Sequence, residues 1–278
     1  DAVATKGECD FVTEVSAELP LQVIAELLGV PHEERHKVFT WSNTMIGLED
    51  PEYGTSMEGA RTAALEMFAY AGELAAERKA EKRDDLVSIL AHAEVDGETM
   101  SEMELAVFFL LLAVAGNETT RNLISGGMLA LFEHPEEREK LRDDPSLFAP
   151  AVEEMLRYVT PVMHFRRTAT CDTEIGEQKI AAGDKVLLWY ISANRDEAKF
   201  PEPHSFKVDR TPNEHLAFGG GGPHFCLGFS LAQLEIKCMF EELLTRLPDM
   251  ELAGPVSHMR SNFINGIKHM PVKFTPER

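Results

Sequence analysis

A cysteine follows a run of glycines in the last quarter of the chain, where its sulfur could serve as a metal ligand. Residues 218–228 read Phe-Gly-Gly-Gly-Gly-Pro-His-Phe-Cys-Leu-Gly, and helical spacing begins at Cys226. Consecutive glycines indicate a backbone that takes unusual dihedral angles or lies close to something flat. Backbone N–H groups at a helix N-terminus, such as that of Gly228, favour a thiolate and lower its pKa. The segment is therefore compatible with an axial thiolate ligand for haem iron.

Two other interpretations of the same segment remain open from its residues alone. Cys226 could be a small buried apolar side chain beside a flexible loop. A phosphate-binding loop is disfavoured, because the Gly-Lys-Ser/Thr ending of the Walker type is absent.

A second candidate lies inside a long apolar helix, where residues 115–120 read Ala-Gly-Asn-Glu-Thr-Thr. Glycine within a helix costs about 1 kcal/mol relative to alanine, so Gly116 needs a compensating role. Ala115 and Gly116 would let a flat cofactor or a diatomic gas approach the backbone, and the Thr119 hydroxyl can bond the carbonyl four residues back. The alternative is that Glu118 faces solvent and Thr119 caps its own turn.

Charged residues stand close together at two further places in the chain, although most such pairs on a helix are ordinary surface ion pairs worth less than about 1 kcal/mol. Glu154 and Arg157 stand three residues apart on one predicted helix, so their side chains can meet. Arg167 lies in a β-type run, and its guanidinium suits bidentate pairing with a carboxylate. Arg166 would point to the opposite face of the strand and be solvated.

The segment from His32 to His36 matches HExxH, the pattern of two zinc ligands and a general base on one helix. It stands just after Pro31 in a run of charges, whereas a catalytic zinc site needs a third ligand and an apolar wall. We interpret it as the solvated first turn of a helix, where acidic residues suit the dipole.

Hydrophobic periodicity predicts a mainly helical architecture with a small, separate sheet. Ser101 and Glu104 form a capping-box signature that opens the long helix, the expected central spine of the fold. The predicted helices cover 21–28, 32–47, 57–82, 84–93, 101–133, 146–159 and 226–247, and the predicted strands cover 164–169, 173–175 and 185–189.

Composition excludes several classes of protein. The 278 residues are 44% hydrophobic and carry a formal net charge of -20, which disfavours general binding to nucleic acid or to an anionic membrane. The longest apolar stretch, 105–115, is shorter than the roughly 20 residues that span a bilayer. Four scattered cysteines without a CxxC pair make a reducing cytoplasm the expected location.

Taken together, these motifs resemble the cytochrome P450 family of haem-thiolate monooxygenases, in its bacterial branch. The glycine-rich segment is similar to the cysteine-ligand loop, Ala-Gly-x-Glu-Thr to the oxygen-activation motif, and Glu154-Met-Leu-Arg157 to the family's ExxR motif. The resemblance implies the P450 fold, haem b (protoporphyrin IX iron) as cofactor and O2 as co-substrate. One departure is that Phe218 stands eight residues before Cys226, one more than the commonest pattern.

The resemblance also implies roles for individual residues. Cys226 would ligate the iron, and Thr119 with Glu118 would assist oxygen activation by hydrogen bonding and proton relay. The implied haem contacts are His224, Arg167, Phe218, Phe225 and Gly228. The implied buried network consists of Glu154, Arg157 and Arg210. The implied substrate contacts are Leu112, Ala115, Gly116, Val162, Met163, Phe263 and Ile264.

Family members are longer at the front, so we expect residues 1–278 to form the C-terminal two thirds or so of a P450 domain, without its first helices and strands. The implied activity is hydroxylation of a small apolar substrate, such as a terpene, sterol or fatty-acid-like molecule. A ferredoxin-type donor and a reductase would supply electrons from NAD(P)H. The alternatives are a haem-thiolate protein without turnover, such as a sensor, an inactive fragment and a protein with no cofactor.

Overall fold

A computed structural model describes residues 1–53 and 56–277 of the chain. Its helices, each predicted apart from the sixth and eighth, are α1 Glu18–Leu28, α2 Arg35–Ile46, α3 Met57–Ala80, α4 Leu86–His92, α5 Glu102–Glu133, α6 Pro135–Asp143, α7 Phe148–Val159, α8 Tyr190–Ala193 and α9 Phe229–Arg246. Its strands are β1 Glu8–Asp10, β2 Glu94–Val95, β3 Glu98–Thr99, β4 His164–Thr168, β5 Thr173–Ile175, β6 Gln178–Ile180, β7 Lys185–Trp189, β8 Glu251–Leu252, β9 Ser257–His258, β10 Ile267–His269 and β11 Pro271–Lys273. The predicted mainly helical architecture with small sheets is confirmed.

Helix α5 is the central spine, as predicted, and contacts α1, α2, α3, α4, α6, α7 and α9. The capping box at its start is present: the Ser101 hydroxyl accepts from the Glu104 N–H, and the Glu104 carboxylate accepts from the Ser101 N–H at 2.8 Å. Within the described residues, α5 is long and apolar enough to cross a membrane by length and composition. A central core helix meets the same criteria, and its many helix neighbours identify it as one.

The strands form small sheets at the periphery of the helices. The largest has the antiparallel order β1-β11-β8, with Cys9 opposite Val272, so it joins the two ends of the described chain. Strands β4 and β7 form a five-residue antiparallel ladder that pairs Phe165 with Leu188 and Arg167 with Val186. This ladder carries one of the predicted anion-binding residues.

Two hydrophobic clusters make up the core. The first joins both ends of the chain to the second half of α5 and to α7 and α9, with Phe11, Met128 and Phe240 fully buried. The second lies entirely within residues 24–113 and packs α1, α3 and the first half of α5 around Met67 and Phe109. Helix α5 therefore serves both clusters along its length.

Candidate functional site

The Cys226 loop is folded back on itself before α9 begins. The backbone N–H of Cys226 donates to the Phe218 carbonyl at 3.0 Å, and this hydrogen bond closes the glycine run into a loop. Gly219, Gly221 and Gly222 all have positive φ, between 76° and 93°, a region that disfavours residues with a Cβ atom. The predicted need for glycine in this segment is therefore confirmed.

The Cys226 thiol is half-buried and lies just before α9, which begins at Phe229. Burial raises its pKa above the ordinary value, and a hydrogen bond from the Gly228 N–H partly opposes this effect. The predicted N–H donor at Gly228 is confirmed, but the predicted net lowering of the pKa is wrong. Desolvation of the sulfur outweighs one N–H donor when no positive charge is close to it.

An aromatic cluster borders the cysteine. Phe218 lies 6.4 Å from Phe225 and 6.2 Å from Phe229, and the last two rings are 5.2 Å apart, measured between ring centroids. Phe225 and Phe229 remain 40% and 38% exposed, so they present apolar surface beside the sulfur. Phe229 was not predicted, although its position three residues after Cys226 on a helix was the available signal.

The Glu-Arg-Arg network is present and buried. The Glu154 carboxylate accepts two hydrogen bonds from Arg157, both at 2.8 Å, and the Arg210 Nε lies 3.0 Å and 3.1 Å from its two oxygens. The Lys207 N–H and the Asn213 amide also donate to it. Both predicted pairings of Glu154 are confirmed, and every contact that this carboxylate makes comes from a donor.

Arg157 and its neighbour Asn194 connect this network to the chain that leads into the cysteine loop. Arg157 donates to the carbonyls of Asn194 and Pro203, at 2.9 Å and 2.8 Å. The Asn194 side-chain oxygen in turn accepts from the Leu216 N–H at 2.7 Å, two residues before Phe218. The network therefore braces the loop, as the resemblance implied.

In the predicted oxygen motif, Thr119 donates to the Ala115 carbonyl at 2.7 Å. This is the predicted bond to the carbonyl four residues back. Helix α5 is continuous through this point, so the bond does not break the helix. The hydroxyl oxygen keeps its acceptor capacity for a further partner.

Glu118 does not face solvent. It is 1% exposed and forms an ion pair with Arg121, one turn further along α5. Burial raises its pKa, and the Arg121 guanidinium opposes that effect. Arg121 also donates to the Asn43 amide oxygen at 2.8 Å and stacks on Phe39, so Glu118 is tied to α2 and not to Thr119. The i,i+3 spacing of Glu118 and Arg121 could have revealed this pair.

Gly116 has a packing explanation. A Cβ atom at this position would lie 2.9 Å from two carbon atoms of the Ile24 side chain. The missing side chain thus allows α1 to approach α5, and the space beside Gly116 is filled by protein. Its predicted role in admitting a cofactor or gas is not supported by this geometry.

The two predicted cationic groups are accessible. Arg167 on β4 and His224 in the cysteine loop are both exposed, and neither makes an ion pair within residues 1–53 and 56–277. Both are therefore free to bind an external carboxylate. Arg166 is exposed too, as predicted.

The predicted substrate residues fall into two groups. Val162 and Ile264 form a β-bridge, and the Met163 N–H donates to the Phe263 carbonyl at 2.9 Å, so these four are neighbours. Ile264 is only 2% exposed and leaves almost no surface for a ligand, which makes it a core residue and the prediction for it wrong. Leu112 and Ala115 lie on α5, and no hydrogen bond or ring contact among the described residues joins them to the bridge.

His32 and His36 do not form a metal site. His32 precedes α2 and contacts Arg35, whose guanidinium pairs with Glu18 at 3.1 Å. No cluster of metal-ligating side chains is present among the described residues. Both histidines are exposed, as predicted, but residues 32–34 lie in a turn and α2 begins only at Arg35, so the predicted helix start at His32 is wrong.

Comparison with known proteins identifies the family. A family model described as cytochrome P450 matches residues 146–251, the segment that holds the buried network and Cys226. A solved structure of P450BioI in complex with an acyl carrier protein ligated to hexadec-9Z-enoic acid superposes with a TM-score of 0.92 at 36% identity. The match covers 99% of this chain and 71% of that one. The chain belongs to the cytochrome P450 family.

Two curated relatives have names that state an oxygenation activity. A methyl-branched lipid omega-hydroxylase of Mycobacterium tuberculosis is 47% identical over 269 residues, 96% of this chain and 63% of that protein. A steroid C26-monooxygenase of Rhodococcus jostii is 46% identical over 272 residues, 98% of this chain and 56% of that protein. The chain therefore spans less than two thirds of the length of these relatives, in agreement with the greater length expected of family members.

The residues of the site fit the haem that the P450 family implies. The loop offers one sulfur already hydrogen-bonded by a backbone N–H, next to the exposed rings of Phe225 and Phe229. Arg167 donates to the Arg166 carbonyl at 3.1 Å, and neither Arg167 nor His224 forms an ion pair among the described residues, which leaves both able to bind carboxylate groups. When bound, the haem supplies the iron at which dioxygen is reduced.

Proposed function

We propose that this chain is the haem-binding portion of a monooxygenase that inserts one oxygen atom from O2 into an apolar substrate. The observation that carries the proposal is the position of Cys226, in a glycine loop before α9 that the buried Glu154 network braces. A ligand sulfur must be held in one place to bind a metal, and this loop meets that condition. The activities named for the two curated relatives support hydroxylation.

Each residue of the site would have a limited task. Cys226 would hold the cofactor through its sulfur, and coordination to the metal would remove the thiol proton that burial otherwise retains. Arg167 and His224 would bind its two propionates, and Thr119 would offer its hydroxyl oxygen to a proton donor. The Glu118–Arg121 pair would keep α5 attached to α2 beside that threonine.

The substrate would be a small apolar molecule of the sterol, terpene or fatty-acid-like class. The lipid and the steroid in the relatives' names, and the ligated fatty acid in the P450BioI complex, support this class. The exposed apolar residues on α5, which include Leu111 at 54% and Val107 at 47%, offer surface for such a molecule. We further propose a ferredoxin-type electron donor with a reductase that uses NAD(P)H, the cofactor haem b and a cytoplasmic location. The four free thiols support that location.

The test is the absorption spectrum of the chain supplied with haem, reduced and exposed to carbon monoxide. Thiolate ligation should give a strongly red-shifted Soret band that is lost in Cys226→Ser and kept in Cys238→Ser, the matched change at an exposed cysteine on α9. A band typical of histidine ligation, or equal spectra for both variants, would overturn the assignment of Cys226. Retention of the band without product from a sterol or branched fatty acid, when the full-length parent is given electrons, would favour haem-thiolate binding without turnover.

A further inference from the structure

The residue next to Glu154 makes a second set of contacts with the cysteine loop. Glu153 accepts from the Gln233 side chain on α9 through Oε1 and from the His215 Nε2 through Oε2, the latter at 2.9 Å. His215 stands three residues before Phe218, and its side chain is only 5% exposed. Glu153 thus joins three segments, namely α7, the entry to the cysteine loop and the helix that follows Cys226.

The position of the ring proton on His215 follows from its two hydrogen-bond partners. Its Nδ1 accepts from the Ala217 N–H at 3.2 Å, and a nitrogen that accepts from a backbone N–H cannot carry a proton. The proton therefore lies on Nε2 and is donated to Glu153. Burial alone would raise the pKa of Glu153, but the hydrogen bonds from His215 and Gln233 bring it below its usual range. Glu153 is therefore a carboxylate that accepts hydrogen bonds from both side chains.

His215 passes this restraint to Cys226 through Phe218. The His215 and Phe218 rings are 6.0 Å apart, and the Phe218 carbonyl accepts from the Cys226 N–H at 3.0 Å. The imidazole is therefore fixed by hydrogen bonds on both nitrogens and lies against the residue that closes the cysteine loop.

We propose that Glu153 is a positioning residue that, through His215 and Gln233, holds the cysteine loop closed and so controls the access and reactivity of the Cys226 thiol. This proposal rests on the proposed function for its biological meaning, but its geometry concerns only residues of this chain. The role differs from that of Glu154, whose partners are guanidinium groups, a backbone N–H and the Asn213 amide. Glu153 contacts His215, which precedes Cys226 in the chain, and Gln233 on α9, which follows it.

The experiment measures the rate at which iodoacetamide labels Cys226 in the 278-residue chain at one fixed pH, with the labelled site assigned by mass spectrometry. Glu153→Ala removes both acceptors, and His215→Phe keeps a ring against Phe218 while it removes both hydrogen bonds. We expect each change to speed labelling roughly tenfold, the factor that corresponds to about 1.4 kcal/mol in a local opening equilibrium.

Exchanging the carboxylate and the amide between positions 153 and 233 tests whether the contact between Glu153 and Gln233 is what holds the loop. Gln233→Glu alone places two carboxylates side by side and should speed labelling, whereas Glu153→Gln combined with Gln233→Glu restores one amide and one carboxylate and should slow it again. Glu241→Gln, an exposed change on α9, is the control. Exposed Cys171 and Cys238 serve as internal references, because their labelling should be constant throughout.

The outcomes separate this proposal from the proposed function. Unchanged Cys226 labelling in Glu153→Ala and His215→Phe, whether or not their melting temperatures fall, would overturn the positioning role. Failure of the double exchange to restore slow labelling would also overturn it. Labelling needs no haem, so a chain that never gives the thiolate spectrum but shows these rate changes would refute the proposed function alone.

Discussion

Replacing Glu154 with glutamine should destabilise the protein almost as strongly as replacing it with alanine, although glutamine has nearly the same shape. Both carboxylate oxygens accept from two or more donors, which come from Arg157, Arg210, Lys207 and Asn213. Whichever way the amide is turned, its NH2 group would face donors and leave them without an acceptor.

The magnitude follows from the burial of the ion pairs. Glu154 and Arg157 are fully buried, and removing one partner of a buried pair costs about 3–5 kcal/mol. The guanidinium groups keep their bonds to backbone carbonyls, so we expect a loss of about 4 kcal/mol in the free energy of unfolding. Since the stability of natural domains is about 5–15 kcal/mol, such a loss would bring the protein close to its folding threshold.

Urea unfolding followed by circular dichroism measures this loss for Glu154→Gln and Glu154→Ala, with the exposed Glu241→Gln as the matched control. The free energy of unfolding of the control should stay within about 0.5 kcal/mol of that of the unsubstituted 278-residue chain. A loss below about 1 kcal/mol for Glu154→Gln would refute the reasoning, because it would mean that water or a neighbouring rearrangement satisfies the donors.

Three other changes test separate features. Gly116→Ala should lower the free energy of unfolding by about 1–3 kcal/mol in the same urea assay, because the new Cβ would lie 2.9 Å from Ile24. A gain in stability would show that α1 can move away from α5 to make room for it. Thr119→Ala, in the full-length parent given electrons and substrate, should raise peroxide release at the expense of product, and unchanged coupling would exclude a role of this hydroxyl in proton delivery. Hydrogen bonds to Glu52 and Asp10 raise the pKa of His269, so its contribution to stability should be present below about pH 6.5 and lost as the pH rises through the folded value. Melting temperatures of the unsubstituted chain and of His269→Gln, measured across pH 5–9, check this. If the two melting temperatures change in parallel with pH, the prediction is contradicted.

The helices that carry an apolar stripe could be predicted from the sequence, whereas α6 could not. Residues 135–143 read Pro-Glu-Glu-Arg-Glu-Lys-Leu-Arg-Asp, which gives a helix one buried apolar anchor, Leu141, and no stripe. Its available signals were Pro135 at the first position and acidic residues in the first turn. Strand β1 was missed because its partner, β11, lies at the opposite end of the sequence and no local pattern encodes that pairing.

The residues of the site were predictable where a motif is local, and their surroundings were not. Glu154 and Arg157 stand in a short sequence pattern and form the ion pair that it predicts. Cys226 follows the glycine run and lies in a closed loop before α9. The sign of the Cys226 pKa shift depends on how deeply the loop is buried, which follows from packing of distant segments. Likewise, the use of Gly116 depends on Ile24, far away in the chain, and the sequence gives no sign of that contact.

The division of the core into two clusters sets an order for folding during synthesis. The second cluster draws only on residues 24–113 and can form as soon as that stretch has left the ribosome. The first cluster includes residues next to β1 and β11, and the paired residues Cys9 and Val272 are 263 positions apart in the sequence. At about 5–20 residues per second, β1 waits roughly 13–53 s for that strand to be made. The half of the core that supports the Cys226 loop is therefore complete only after β11 has been made.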